Sequence, residues 1–401
     1  MLSVEEALRV LRDSASPLQA ETVGLEDACG RVLAEDLAAA IAQPPFAASA
    51  MDGYAVRLAD VRGVGSRLRV IGEVRAGGVS NVRVETGTAV RIFTGAAVPE
   101  GADHVLIQED AQRDGSDIIV KVSQQSTANI RAAGIDFEQG SLLKRAGSRL
   151  SPVDISLAAA ANIATLRVTR RPAVAFFDNG DELREPGSEL LPGQIVGSNR
   201  YALGALIGEW GAEPRYLGRA ADTTSSIQEL YDRASGADVL APIGGASVGD
   251  YDYVRAAFAE AGGRLIFEKI AVRPGKPTWF GELGGALVLG LPGNPASAIV
   301  CAALFLRPLI ARLLGVRENG LRFVPAVLAG FAPANGPRET YLRGKARFDG
   351  EGRLFVEPAG QQDSSLLAVL AASDALIRRR PNAPAAQTGT FVDCLFLRPV
   401  E

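Results

Sequence analysis

Three cations, Lys269, Arg273 and Lys276, fall within eight residues, and Pro274 and Pro277 restrain the chain so that the charges hold fixed positions. A solvated basic loop seldom needs two prolines and a glycine. On either side, an apolar run ends in glycines. Asp238 to Ile243 leads into Gly244, Gly245, Ser247 and Gly249, and Leu287 to Leu291 leads into Pro292, Gly293, Asn294, Pro295 and Ser297. A strand that turns through glycine into a helix presents unpaired amides at the positive end of the helix dipole, which is chemistry for an anion. Asn294 is placed to cap the second helix and Pro295 suits its first turn. One such turn reads equally well as an ordinary capped helix, but two beside a basic segment are harder to assign to packing. Carboxylates form a second set: Asp52, Asp136, Asp181, Glu182, Asp222, Asp250 and Asp252 all sit beside glycine or small residues in expected loops. Each alone reads as a turn residue. Together they could supply hard oxygen ligands for magnesium next to phosphates.

The composition narrows the chemistry. The single histidine, His104, precedes an apolar strand and reads as packed or surface, so a histidine zinc site is excluded and histidine-based hydrolase schemes lack a base. Cys29, Cys301 and Cys394 are odd in number and far apart, which disfavours a disulfide framework or a thiolate metal site and fits a reducing cytoplasm. A formal charge of −4, from 42 basic and 46 acidic residues mixed along the chain, gives no general attraction to nucleic acid or membrane. The first twelve residues lack the layout of a signal peptide, and the most apolar helix, Ala296 to Leu306, reads as too short to span a bilayer. No Walker A loop and no GxGxxG opens a βα unit.

The elements that must position these groups follow from periodicity. Residues 3 to 15 read as a helix with a Ser3/Glu6 capping box, and Leu25 to Ala40 reads as a second helical piece that ends at Pro44 and Pro45. Short alternating runs from Leu68 to Val122 predict a small barrel or sandwich, with Thr94-Gly95 at one strand end and Asp52-Gly53 at a turn. Pro152 to Ala164 reads as a helix. From residue 172, strand and helix alternate: strand 173–177, helix 195–210, strand 215–217, helix 225–233, strand 238–243, helix 252–261, strands 265–267 and 286–290, and a helix from Pro295. This predicts a doubly wound, mostly parallel sheet with its ligand beyond the strands' carboxyl ends. After Gly315 five short runs predict a C-terminal β-barrel or sandwich of about 80 residues, one small domain.

Six stretches in order, Ser49 to Val56, Arg91 to Ala96, Gly180 to Leu183, Gly244 to Gly249, Lys269 to Pro277 and Gly290 to Pro295, closely resemble the molybdopterin molybdenumtransferase family, which includes the gephyrin E domain. The resemblance implies a multidomain α/β plus β subunit in a homodimer: an α/β cofactor-binding domain (1–27 with 169–317), a helical connecting domain (28–45 with 133–168), an inserted β-rich domain (46–132) and a C-terminal β-barrel (318–401). It further implies that molybdate is inserted into adenylylated molybdopterin with magnesium-dependent release of AMP, in contact with a molybdopterin adenylyltransferase and recipient molybdoenzymes.

Carried over by position, Gly180, Asp181, Glu182, Asp222, Gly244, Gly245, Ser247 and Asp250 would serve the nucleotide, phosphates and magnesium, with Asp181, Glu182, Asp222 and Asp250 as the metal ligands. Lys276, Pro277 and Ser297, with Arg343 and Ser364, would shape the oxyanion pocket, and Lys269, Arg273, Pro292 and Pro295 would bind the cofactor beside it. Asp52, Thr94 and Asp136 would act with Glu182 and Asp222 in catalysis, reaching across from the partner subunit. The chain departs from the family at Asp178-Asn179, where Ser-Thr is usual, at Ile243, where serine is usual, and at Ile135, where an acidic or small polar residue is usual. An added carboxylate at 178 could repel phosphate or offer another metal ligand. These departures motivate an alternative in which a catalytically weakened paralogue binds, stores or delivers the cofactor or scaffolds partners. A related pterin-adenylylating enzyme is a third reading, which leaves the β-rich first half and the C-terminal domain without a task.

Overall fold

In a computed structural model describing residues 1–245, 253–317 and 321–400, the chain folds around three six-stranded sheets. Helix α1 (Val4–Asp13) starts as expected: Ser3 accepts from the Glu6 amide, and the Glu6 carboxylate takes the Ser3 N–H. Its buried face, Val4, Ala7 and Leu11, joins the main apolar core formed by the α/β sheet.

The inserted region holds strands β1 (Gly53–Val56), β2 (Arg67–Val74), β3 (Thr88–Ile92), β4 (His104–Ile107), β5 (Ala111–Asp114) and β6 (Asp117–Val120), in the order β4-β1-β3-β2-β6-β5. Asp52 and Thr94 lie at neighbouring ends of β1 and β3. His104 is fully buried, and its Nδ1 accepts from the Ala128 amide.

The connecting segments correct one expectation. Leu25 to Ala40 is not a helix. Only a single turn forms at Leu25–Asp27, Gly30 has φ +77°, and Leu37–Ala38 pairs with Leu142–Lys144. Apolar residues spaced as in a helix here serve a small core with Leu150 and Leu166, so distant pairing overrides local pattern. Only α2 (Pro152–Ala160), with a Ser151/Asp154 capping box, is helical among these connecting residues.

The α/β region follows the expected alternation: β7 (Ala173–Asn179), α3 (Asn199–Glu209), β8 (Glu213–Ala220), α4 (Thr224–Arg233), β9 (Val239–Ile243), α5 (Tyr253–Glu260), β10 (Arg264–Phe267), β11 (Trp279–Leu283) and β12 (Ala286–Gly290). The sheet order is β8-β7-β9-β12-β11-β10; the first four run parallel, β11 is antiparallel to β12, and β10 pairs antiparallel with β11 and so points the same way as the first four. Ile195–Val196, expected inside a helix, instead pairs with Leu183–Arg184, and α3 begins at Asn199. After β12 comes α6 (Pro295–Cys301), continued by a π-helical stretch Ala302–Leu306 and by α7 (Arg307–Leu313). The combined helix, longer than expected, is long and apolar enough by composition to cross a membrane, yet 78% of its apolar window is buried in the protein core.

Strands β13 (Phe323–Leu328), β14 (Glu339–Phe348), β15 (Leu354–Pro358), β16 (Ala375–Arg379) and β17 (Phe391–Phe396) close into the C-terminal barrel through β14–β16 pairing. The short strand Val272–Arg273 of the basic segment pairs in parallel with Glu339–Thr340 of β14, which ties the barrel to the α/β region beside the cations.

Candidate functional site

The carboxyl ends of β7 and β9, the start of α3, the Arg273–Pro277 segment, the start of α6 and two barrel loops enclose a cleft of about 790 Å³. Its position agrees with the rule that ligands of doubly wound sheets lie beyond the strand ends. Of the residues singled out from sequence, Glu182, Gly244, Gly245, Arg273, Lys276, Pro277, Pro292, Pro295, Ser297 and Ser364 line it. Ser247 and Asp250 lie outside the described residues.

The local chain explains how the cations are held. Strand pairing with β14 fixes Arg273, and the Glu339 amide donates to the Ala271 carbonyl at 2.9 Å. Gly275 has φ +108°, and a Cβ there would lie 2.0 Å from the Cys301 sulfur, so the turn presenting Lys276 packs directly on α6. Gly245, at φ +63°, likewise has no room for a Cβ, which would come within 2.2 Å of Val254. Lys269 does not line the cleft; its carbonyl accepts from the Leu2 amide. Ile243, where a serine was usual, is buried in the main core as well as meeting the cleft.

Asn294 does not cap α6. Its Nδ2 donates instead to Ser364 Oγ at 2.8 Å, while the Ala296 amide donates to the Ser364 carbonyl at 3.1 Å. The turn that was expected to offer free amides is therefore partly committed to holding the barrel loop, and with it Ser364, over the helix start.

Behind this end of the cleft lies Arg343, fully buried, with Nε, Nη1 and Nη2 all lacking a hydrogen-bond partner. Burial depresses its pKa; Asp363 opposes that effect and Arg273 adds to it. Guanidinium has no neutral form to retreat to at ordinary pH, so a buried one without partners is costly unless an anion completes it.

The nucleotide-side carboxylates are arranged differently. Asp222 accepts from Asn179 Nδ2 at 2.8 Å and from the Asp181 amide at 3.2 Å, and its own amide donates to Asp181 Oδ1 at 3.4 Å. This clasp orients the loops after β7 and β8, leaving Glu182 as the member that lines the cleft; neither Asp181, Asp222 nor Gly180 does. Among the described residues no three His, Cys, Asp or Glu side chains converge as a metal cage. Oxygen-only donors in this number fit magnesium as it is usually held, by one or two carboxylates with substrate phosphates and water.

Asp52, Thr94 and Asp136 do not line the cleft of their own chain. Asp52 Oδ1 accepts from both the amide and the hydroxyl of Thr94 at 2.8 Å, and these bonds, the amide foremost, hold its pKa below the usual carboxylate range. Asp136 is exposed in a separate loop.

The cleft also contains residues without a sequence-based role: Ser198 and Asn199 at the start of α3, and Arg338, Gln362 and Asp363 in the barrel loops. The strand-end rule, extended to the return helix, points to Ser198 and Asn199. For the barrel residues no local signal existed, since their place depends on how the barrel docks. Asp178 and Asn179, noted only as departures, line the cleft as well.

Residues 2–162 match the family described as MoeA N-terminal region (domain I and II), residues 186–312 the probable molybdopterin binding domain, and residues 325–397 the MoeA C-terminal region (domain IV). A molybdopterin molybdenumtransferase of Haemophilus influenzae is 35% identical over 400 residues, covering 98% of each chain. The protein of that name from Bacillus subtilis is 34% identical over 406 residues, covering 99% of this chain and 94% of its own. Among solved structures, a molybdopterin biosynthesis MoeA protein from Pyrococcus horikoshii superposes with a TM-score of 0.87 at 32% identity, covering all of both chains.

Proposed function

The chain belongs to the molybdopterin molybdenumtransferase family, and on that premise we propose that its cleft takes adenylylated molybdopterin and molybdate, transfers molybdenum to the pterin dithiolene and releases AMP. It is a transferase that inserts molybdenum into molybdopterin. The observation that carries the finer reading is the pairing of an orphaned, fully buried Arg343 with cleft-lining Arg273, Lys276, Ser297 and Ser364, drawn from stretches far apart in sequence.

These groups suit a small oxyanion. Lysine and arginine supply charge, serine hydroxyls donate, and the start of α6 contributes its dipole. Lys276 and Arg273, held by packing and strand pairing, would bind the dianion without reorganising, as preorganised electrostatics requires. On the other side, Gly244 and Gly245 let the backbone approach the phosphates, and Glu182 with Asp181 or Asp222 would hold magnesium. When bound, magnesium supplies charge neutralisation on the phosphoanhydride. Ser247 and Asp250 belong to this proposal by resemblance alone.

Asp52 is ionised and aimed by Thr94 but remote from its own chain's cleft, so we assign it, with Thr94 and Asp136, to the cleft of a second copy in a cytoplasmic homodimer. There a fixed carboxylate could orient the attacking water. Transient contacts with a molybdopterin adenylyltransferase and with recipient molybdoenzymes complete the proposal, with no nucleic acid or membrane involved. The test is release of AMP from adenylylated molybdopterin by purified protein. The reading requires that release to depend on both molybdate and magnesium, and tight retention of substrate with no AMP under any metal condition would refute it.

A further inference from the structure

Arg273, Lys276 and Ser364 bring donors to the cleft, whereas the end of β7 and the start of α3 bring acceptors, Asp178, Asn179 and Asn199, and Glu182 and Asp363 add carboxylates. Asp178 is 4% exposed and makes no ion pair among the described residues; its one hydrogen bond comes from the Tyr216 hydroxyl at 3.3 Å. The nearby guanidinium of Arg200 is taken up elsewhere, by Glu185 and by stacking over the Tyr201 and Tyr216 rings. Asn179, 8% exposed, uses its Nδ2 on Asp222 and leaves Oδ1 without a partner, and Asn199 uses its Nδ2 on the Gly293 carbonyl and leaves Oδ1 likewise. A nearly buried carboxylate that Arg200 and Arg219 oppose only at a distance, without an ion pair, and that lines the cleft together with orphaned carbonyl oxygens, is unfavourable until donors reach it. It would repel molybdate, which belongs with the cations, and phosphates at the adjoining Gly244–Gly245 turn would approach it only with magnesium to offset their charge.

We propose that Asp178 is a specificity-determining residue that accepts hydrogen bonds from the donor edge of an aminopyrimidine ring, the adjacent ring N–H and amino group of the pterin. This rests on the reading that the cleft takes molybdopterin. A carboxylate has only acceptors and matches two adjacent donors side by side, as it matches arginine. Adenine, the other ring of the substrate, sets an acceptor nitrogen beside its amino group and matches a carboxylate poorly. The serine usual at this position in the family offers one acceptor and one donor, so the aspartate in this chain sharpens the choice of ring.

The experiment titrates full-length protein with two probes, free pterin (2-amino-4-oxopteridine) and AMP, in the presence of a chelator and then of magnesium. Wild type is compared with Asp178→Asn, which keeps shape but swaps one acceptor for a donor, and with Asp178→Ser. The expected result is a loss of pterin affinity of at least tenfold in Asp178→Asn, with AMP affinity within twofold of wild type and the loss present without metal. Equal pterin affinity in all three proteins, with AMP still bound, would overturn the role of Asp178 while leaving the cleft's function standing. A loss seen only with magnesium would also overturn it, by making Asp178 a metal ligand. Failure of wild type to bind either probe would instead overturn the reading of the cleft beneath it. Circular dichroism and AMP affinity together separate a misfolded variant from a selective one.

Discussion

The cost of placing a carboxylate at position 178 sets a measurable prediction for Asp178→Asn. Burial, helped by the charge of Glu185, pushes the Asp178 carboxyl from an ordinary 3.8 up to about 6, and the Tyr216 hydroxyl with the charges of Arg200 and Arg219 only partly opposes it. At 1.36 kcal/mol per pH unit, the difference between those two values corresponds to about 3 kcal/mol as an upper figure. The sign follows from which state holds the proton. Below pH 3.8 the group is neutral folded and unfolded, and costs nothing. Between 3.8 and about 6 the unfolded chain ionises while the folded chain keeps its proton, so stability falls as pH rises, and above about 6 the penalty is constant. Asparagine retains an acceptor for Tyr216 and never ionises. In ligand-free protein, Asp178→Asn should therefore match wild type at pH 4 and exceed it increasingly up to pH 7. For a chain of this size the gap at pH 7.5 should reach about 3 °C in Tm. Paired thermal melts of the two proteins across pH 4 to 8 measure it, because the remaining carboxylates titrate alike in both and cancel in the difference. A difference that does not change with pH would refute the reasoning, since it would mean that the carboxylate is solvated or neutralised in the folded state.

Further predictions concern the anion end and the subunit arrangement. Arg343→Met removes a buried charge that has no protein partner, so Tm should hold or rise, whereas the molybdate concentration for half-maximal activity should increase at least tenfold; a marked fall in Tm would make the guanidinium structural instead. Gly275→Ala drives a Cβ toward the Cys301 sulfur at a positive φ and should cost about 2 kcal/mol or more of stability while lowering kcat through displacement of Lys276, read by urea unfolding alongside AMP release. Thr94→Val deletes the hydroxyl but spares the amide bond to Asp52, so its activity should fall between that of wild type and that of Asp52→Ala. If Asp52 serves the partner's cleft, inactive Asp52→Ala and inactive Lys276→Ala subunits, mixed and allowed to exchange, should regain about a quarter of wild-type activity, because half of the dimers in a random mixture carry one intact site; no recovery would place both residues in one chain's site.

How much of this was legible beforehand depends on how local each determinant is. The capping box at Ser3 and Glu6 acts across three residues, and the apolar runs that form β9 and β12 each lie within one short stretch, so sequence alone placed them. The strands of the barrel were marked by their own alternation. Leu25 to Ala40 misled because its apolar spacing suits a helix equally well, and what decides is pairing with residues more than a hundred positions on. Asn294 illustrates the same limit at the site: its residue type and position call for a cap, but Ser364, 70 residues away, claims the side chain. Arg343 could be assigned to the anion by resemblance, yet its lack of any protein partner is a property of the docked barrel and of no shorter stretch. Asp178 combines both cases. That it departs from the family is plain from two adjacent letters, but whether it repels, binds metal or recognises a ring depends on a tyrosine 38 residues on and on the engagement of Arg200 elsewhere. Only with those neighbours in place does its carboxylate become an unmet acceptor, and an unmet acceptor in a cleft otherwise built for anions requires a ligand that also carries hydrogen-bond donors.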